Sequence, residues 1–522
     1  MSRIGIFGWG IVAPRSPDIE SFKENLRGAE SWLSPFHGFG RDNFLVGQPE
    51  FDFNRYRPWV DARFKPNRFP QLEEKMDLPS KYAIGCFVQA LQQNPGLEEE
   101  LTRLGTQAHA YIGTGLGNIG TLYDNSLSLY RAQRRWNRFW ADPERNPSLG
   151  AYLADPAGSG VDPEVVPAEP STAPDGEREC AEDRWWDFWA MRSEPLKLYL
   201  EELAEIESLS VQGEVEAGKI RLLKEKRRRK RLLQKKWEAP EPPWREVSAN
   251  VIWNIQNTPA AQLSMLGKIT GLAFAPVAAC STFGISLKLA MDAIHRGEAK
   301  AVVVGATDPP PHPLIVGAFY GGRVLSADAQ VSKPLGGMRG THVSGGAVIW
   351  IVGDYEHMVA RGFEPLGLEP LAVGVSSDAD HIITPSREGP TMAMDQALAA
   401  AGTAPEDVVS WDLHATATPG DYLEVDTLRQ RFPGSVLVTA RKGTFGHGMA
   451  AGGGWELTAQ YLGFADGAVA PTSLGRSELN PQIQGVHQRF VFDESCPAPK
   501  GPVGKLSMGI GGVNACVISR PW

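Results

Sequence analysis

Cysteine is scarce in this chain: five residues, at positions 86, 180, 280, 496 and 516, with no Cys-x-x-Cys pair. That argues against a disulfide framework and fits thiols kept reduced in a cytoplasmic setting. Long apolar runs are missing as well. No stretch approaches 18 uninterrupted apolar residues, so no membrane span is expected. The start, Met1-Ser-Arg-Ile-Gly-Ile-Phe-Gly, lacks the apolar core of a signal peptide. No Gly-x-x-x-x-Gly-Lys-Ser/Thr occurs, which removes the phosphate-loop reading of the glycine-rich stretch 443–454. An excess of basic charge is absent too: 52 Lys and Arg against 61 Asp and Glu leave a net charge of -9, which argues against general nucleic-acid binding. No metal site is expected.

What is present is α/β texture. The 522 residues suffice for more than one domain. The sequence predicts buried strands at Arg3–Val12, Ala108–Gly113, Ala275–Ala279, Ala301–Gly305, Val343–Val352 and Val408–Leu413. It predicts helices over Glu20–Gly28, Met76–Leu91, Ser281–Arg296, Met392–Ala401 and Trp455–Tyr461. In the helix after Cys280, Ile285, Leu289 and Ile294 are expected to face inward. Alternation of strands and helices favours a layered α/β fold, and each half carries a strand leading into a loop of small residues with a reactive group. Residues 119–245 break this texture and read as an insertion with its own helices. Within it, Asp155–Asp175 reads as a connector, and Leu196, Leu200, Leu203 and Ile206 share one helical face. Lys219–Lys236 is strongly basic.

Four residues carry the chemistry. Cys280, in Val277-Ala-Ala-Cys-Ser-Thr-Phe-Gly284, sits between a predicted strand and a predicted helix. A helix N-terminus there would favour thiolate over thiol and activate the sulfur, although free cysteine is also among the most buried residue types. His414, in Asp412-Leu-His-Ala-Thr-Ala-Thr-Pro, ends a strand in a loop of small hydroxyl residues. Lys442 and His447 lie in Lys442-Gly-Thr-Phe-Gly-His447, just before a helix. Each fits a structural role when taken alone; one Cys, two His and one Lys in this order and these contexts form a reactive set.

These motifs resemble the β-ketoacyl-acyl carrier protein synthases of the elongating type and their relatives in polyketide synthases. Ala279-Cys-Ser matches the family's nucleophile elbow. His414-Ala-Thr-Ala-Thr-Pro resembles its His-Gly-Thr-x-Thr motif, Lys442-Gly-Thr-Phe-Gly-His447 its Lys-Ser-x-x-Gly-His motif, and Ser507-Met-Gly-Ile-Gly-Gly-Val-Asn514 its C-terminal glycine loop. The likeness covers about residues 1–118 and 246–522. It implies a five-layered αβαβα thiolase fold of two similar halves, 1–118 with 246–330 and then 331–522, interrupted by the helical insertion. It implies decarboxylative Claisen condensation with Cys280 as nucleophile, His414 and His447 at the malonyl unit and Lys442 as a nearby cation. Backbone N–H groups of Cys280 and Ile510 would form the oxyanion hole, and Thr416, Thr418, Phe445 and Ile510 would contact substrate. No resident cofactor is implied beyond the pantetheine arm of an acyl carrier protein, the expected partner. A homodimer, or a heterodimer with a related subunit, is also implied.

The chain departs from the family pattern at Ser332-Lys-Pro-Leu-Gly-Gly-Met-Arg-Gly340 and at Ser344-Gly-Gly-Ala347, where acidic residues that usually support the lysine and its loop are missing. Ile510 stands where an aromatic gate is frequent. Two rival readings follow from the same fold: a thiolase using Cys516 as acid/base, and a non-elongating chain-length partner or scaffold subunit. The basic run, with Trp136, Trp140, Trp185, Trp186 and Trp189 as anchors, is expected to dock an acidic partner such as the carrier; the alternative is a solvated helical face with the tryptophans as the core of the insertion or its seam to the main body.

Overall fold

A computed structural model describes residues 2–40, 43–210, 215–484 and 489–522. The chain divides into two compact units, residues 1–120 with 252–522, and residues 121–251. The second therefore runs six residues past the expected end of the insertion. Residues 211–214 of that insertion lie outside the described residues.

The first unit is built on two five-stranded sheets. The strands are β1 (Ile4–Val12), β2 (Ala108–Gly113), β3 (Ala273–Phe274), β4 (Ala301–Asp308), β5 (Gly346–Asp354), β6 (Glu369–Ser377), β7 (Ser410–Asp412), β8 (Leu437–Thr439), β9 (Val503–Gly509) and β10 (Val513–Arg520). The first sheet runs β1-β5-β4-β2-β3 and the second β6-β10-β9-β7-β8. In each, the first strand pairs antiparallel with the last, that with the fourth, and the remaining pairings are parallel. The two halves are thus topological repeats, a symmetry that the residues alone show only weakly. The division between them differs from the one expected. β5 was assigned by sequence to the second half, yet it lies between β1 and β4 in the first sheet, so the first half extends to Asp354.

Five layers follow from where the apolar surface goes. Helix α1 (Ile19–Asn25) stops at Leu26, short of the predicted Gly28. Helix α2 (Leu78–Gln92) covers the outer face of the first sheet. Between the sheets lie α3 (Thr282–His295) and α4 (Met449–Ala465), whose residues Phe283, Leu287, Leu457 and Tyr461 join Trp350 of β5 and Val517 of β10 in one core. Because α3 is flanked on both sides, Phe283, Leu287, Ala290 and Met291 are buried more completely than the predicted Ile285 and Leu289. Gly454 lets α4 close up: a Cβ there would lie 2.4 Å from Val348 Cγ1 and 2.8 Å from Phe283 Cδ2. Helix α5 (Glu388–Ala401) covers the second sheet from outside. The predicted strand Ala275–Ala279 does not form. Pro276 has no N–H for a ladder, and the strand ends at Phe274, leaving irregular chain up to Cys280.

The second unit has a core of its own, rich in tryptophan. Helices Arg178–Ala190, Glu194–Ser208 and Val215–Trp237 pack with residues of Ile119–Trp140. Trp140 lies 5.5 Å from Trp136, 5.3 Å from Tyr199 and 6.0 Å from Trp237, ring centre to ring centre, and Trp185 lies 5.7 Å from Trp189. Trp136, Trp140, Trp185 and Trp189 are buried, so they hold this unit together rather than offering anchors to a partner; Trp186 is half-buried beside them. Tyr199 takes the inward place expected of Leu200, which is exposed, because the aromatic ring fills the space beside Trp136 and Trp140. Among the described residues no helix is long and apolar enough to cross a membrane.

Candidate active site

Cys280 lies in a single tight turn, Ala279–Ser281, that runs straight into α3. Ala279 holds a φ of 46°, a left-handed conformation that costs a non-glycine residue about 1–2 kcal/mol. The surrounding bonds fix it: Ser281 Oγ donates to the carbonyls of Val513 (2.7 Å) and Ser507 (3.1 Å), and Thr282 Oγ1 donates to that of Ala279 (2.7 Å). The sulfur is buried, and the backbone N–H of Ile510 faces it from the turn after β9. Burial pushes the thiol up to about 11, against the pull of Lys442 and of the Ile510 N–H. The activated resting thiolate expected at a helix N-terminus is therefore not what the site holds. Desolvation outweighs the favourable charges, and Cys280 rests as a thiol.

His414 follows β7, and its loop is wrapped by two buried carboxylates from the helix Gly420–Arg431. Glu424 accepts the N–H groups of His414 (2.7 Å) and Ala415 (2.8 Å); Asp421 accepts those of Thr416 (2.8 Å), Ala417 (3.1 Å) and Leu335 (2.8 Å). Burial raises Glu424 to about 7 and Asp421 to about 6. His447 is held by its backbone: its N–H donates to the His342 carbonyl at 2.7 Å, and its carbonyl accepts from Ser344 N–H at 2.9 Å. The two imidazoles lie 5.3 Å apart, edge to face. Burial first, and the Lys442 ammonium second, hold both well below the ordinary histidine range, so both are neutral.

Lys442 is buried and does not line the cavity. Its ammonium donates to the His414 carbonyl and to Glu456 Oε1 (2.6 Å). Glu456, on α4, is thus the acidic partner of the lysine in a chain that lacks the family's acidic loop residues. The loop itself is held otherwise. Leu335 N–H binds Asp421, Gly340 N–H donates to the Ala417 carbonyl (2.8 Å), and His342 accepts Ser332 N–H on Nε2 (2.7 Å) and faces the Leu45 carbonyl with Nδ1 (3.0 Å).

Cys280, His414, His447, Thr416, Thr418 and Ile510 meet at one cavity of about 110 Å³, whose lining also includes Phe319, Val324, His381 and Ile383. Thr416 Oγ1 and Thr418 Oγ1 are 3.0 Å apart. Phe445, expected to touch substrate, is elsewhere. It is fully buried in the core against Trp32 (5.7 Å), Trp455 (5.8 Å) and Phe22 (6.2 Å), because the Lys442–Phe445 turn aims its ring inward. Cys516 is buried within β10 and is not among the cavity's lining residues, which leaves the second-cysteine reading without a site. Sequence reasoning also missed Glu456, Glu424, Asp421, Asp308 and Lys505. Glu456 had a signal, as the lone charge in the helix Met449–Ala465. Asp308 had none; its carboxylate, raised to about 6 by burial, gathers the N–H groups of Gly115 (2.9 Å), Leu116 (2.8 Å) and Ala450 (2.7 Å).

A family model described as "Beta-ketoacyl synthase, N-terminal domain" matches residues 228–357, and one described as "Beta-ketoacyl synthase, C-terminal domain" matches residues 370–474. The gap between them falls where the first sheet gives way to the second. The chain is 30% identical over 251 residues to "Nodulation protein E" of Rhizobium meliloti (strain 1021), covering 45% of this chain and 62% of that protein. It is 33% identical over 208 residues to "3-oxoacyl-[acyl-carrier-protein] synthase 2" of Staphylococcus aureus (strain COL), covering 38% and 50%. The chain thus spans less than two thirds of the length of these curated relatives. The solved structure "The ishigamide ketosynthase/chain length factor" aligns with a TM-score of 0.67 at 17% identity, over 100% of this chain and 99% of the other. A β-ketoacyl synthase from Burkholderia phymatum STM815 aligns with a TM-score of 0.65 at 16% identity, over 100% of both chains. At these identities the structural likeness is one of fold, and the fold is thiolase-like.

Proposed function

We propose that this chain, which belongs to the β-ketoacyl synthase family of the thiolase superfamily, catalyses decarboxylative Claisen condensation of a carrier-bound malonyl unit with an acyl chain held on Cys280. The observation that carries the reading is the convergence of a buried thiol, two neutral histidines and the Ile510 backbone turn on one cavity. In the first step Cys280 sulfur attacks an acyl thioester, and its proton leaves with the carrier thiol. Covalent capture divides the reaction into two easier steps. The N–H groups of Cys280 and Ile510 face the oxygen that becomes negative, and one such donor is worth about 3–4 kcal/mol in a transition state. In the second step the malonyl carbon–carbon bond breaks and carbon dioxide leaves. The enolate oxygen accepts hydrogen bonds from His414 and His447, each of which keeps one N–H to donate as a neutral imidazole. The carbanion then attacks the acyl-Cys280 carbonyl, the carbon–sulfur bond breaks, and the thiolate left on Cys280 takes a proton from solvent. The steps use no resident metal or cofactor beyond the carrier's pantetheine arm. A chain-length partner subunit would have no use for a cysteine placed between an oxyanion turn and two histidines. Five free cysteines support a reducing, cytoplasmic setting. The test is to incubate the protein with a panel of acyl thioesters on carrier proteins and read the mass added at Cys280. No adduct with any of them would reject the reading.

The carrier is also the partner we assign to the helix Val215–Trp237. Lys226 and Lys230 pair with Glu207, Arg228 and Arg229 with Glu225, and Lys236 with Glu202. Lys224, Arg227, Arg231 and Lys235 recur once per turn and are exposed. Clustered charge of this kind raises the on-rate of an acidic partner. Reversing Arg227, Arg231 and Lys235 to Glu is expected to weaken carrier binding about tenfold at low salt, with the difference shrinking as salt rises. Equal affinity at every salt concentration would remove this surface from consideration.

A further inference from the structure

Behind the cavity lies a cluster of five buried charged side chains, and the steps proposed above use none of them directly. Arg441 Nε is 3.5 Å from Asp412 Oδ2; Lys442 Nζ is 2.6 Å from Glu456 Oε1; Lys505 Nζ is 2.7 Å from Glu456 Oε2 and 3.3 Å from Asp412 Oδ1. Every one of these side chains is at most 2% exposed. A lysine in the middle of a buried strand is costly unless it is paired and hydrogen-bonded on all sides. Lys505 meets that condition, since its ammonium also donates to the carbonyls of Leu506 (2.6 Å) and Leu413 (3.2 Å). The two lysines thus grip consecutive carbonyls, Leu413 and His414, at the end of β7. Lys505 in addition lies on β9, the strand that leads into the Ile510 turn.

We infer that Lys505 is a positioning residue for this site: by taking one oxygen of Glu456 it spreads that carboxylate over two ammoniums, so Lys442 stays on the His414 carbonyl with its charge only partly neutralised. That surplus favours negative charge on the Cys280 sulfur and on the enolate. The inference rests on the condensing role proposed above for its meaning, but not for its test. Burial lowers the histidines, and both lysines add to that effect. The other ionisable groups around Cys280 and the histidines are Asp308, Asp421 and Glu424, with Asp378 and His381 on the cavity wall. The carboxylates of the first three are bonded mainly to backbone N–H groups rather than to either ammonium, and all five groups are the same in every variant compared.

The experiment is alkylation of Cys280 by iodoacetamide at pH 8.5, with condensation measured in parallel. Lys505→Met removes the charge and keeps the length. It is expected to slow alkylation about threefold to tenfold, the effect of moving one buried charge by up to about one pKa unit, and to lower kcat with KM little changed. Lys505→Met combined with Glu456→Gln removes one charge of each sign. It is expected to return alkylation to within about twofold of the parent. A merely structural lysine would not be rescued by a second substitution in its own buried partner. A folded Lys505→Met protein that alkylates at the parental rate, or a double variant as slow as the single one, would overturn the inference. Should the single variant fail to fold, Glu456→Gln alone decides: faster alkylation than the parent supports the inference, and equal or slower alkylation rejects it. If the parent makes no β-ketoacyl product while these alkylation differences hold, the condensing role fails and the role of Lys505 stands.

Discussion

Cys280→Ala is expected to abolish β-ketoacyl product formation, a loss of about 10⁴-fold or more, because the covalent step has no substitute nucleophile in the cavity. The cavity's other polar side chains are hydroxyls, carboxylates, imidazoles and the Asn514 amide, and the Ile510 N–H faces the Cys280 sulfur. The fold should survive. The turn at Ala279–Ser281 is held by Ser281 and Thr282, not by the sulfur. Loss of one buried sulfur atom costs about 1 kcal/mol, a few degrees of melting temperature at most. Product assays and thermal melts on the same preparation settle both halves. A variant that condenses at a normal rate would remove Cys280 from the mechanism.

His414→Ala and His447→Ala are each expected to cut malonyl decarboxylation by roughly 10²–10⁴-fold while acylation of Cys280 continues. The division follows from geometry: the Ile510 N–H faces the sulfur, while the imidazoles lie 5.3 Å from each other as a separate pair of donors. Carbon dioxide release and the mass added at Cys280 read the two steps independently. Unchanged release in both variants would sink the assignment. The direction of the histidine shifts adds a pH signature. Both groups are held below the ordinary value of 6.5, so they stay neutral as pH falls through that value. Release of carbon dioxide should accordingly not decline around pH 6.5 as it would if free imidazoles had to remain unprotonated.

How much of this could be seen in the residues depends on the range over which each feature is decided. β1, β2 and β4 are apolar runs buried on both faces, and such runs are local signals. The reactive residues were legible for the same reason: each sits in a short motif at the end of an element. What failed was decided at a distance. Phe445 stands two residues before His447, yet its ring belongs to a core made by Phe22, Trp32 and Trp455. The placement of β5 in the first sheet depends on pairing with β1, more than 300 residues earlier in the chain. Desolvation of Cys280 is a property of everything packed around it, and no motif records it. The charged cluster is the extreme case. Asp412, Arg441, Glu456 and Lys505 come from four separate segments, and only the folded chain links them, Arg441 to Asp412 to Lys505 to Glu456, by ion pairs of 3.5 Å or less.

The self-contained core of residues 121–251 bears on how the chain folds. In the first sheet Ala110 pairs with Ala273 and Tyr111 with Phe274, partners about 160 residues apart. Closing an unstructured loop of that length is entropically unfavourable, though the penalty grows only by about 0.6 kcal/mol per doubling. The tryptophan-centred core draws its residues from within that span, so its formation before the sheet closes would remove most of that slack. During synthesis it is also complete before Ala273 leaves the ribosome. Its assembly then becomes an early event that shortens the path of the later one, and substitutions at Trp140 or Trp189 should slow formation of the first sheet as well as weaken their own unit.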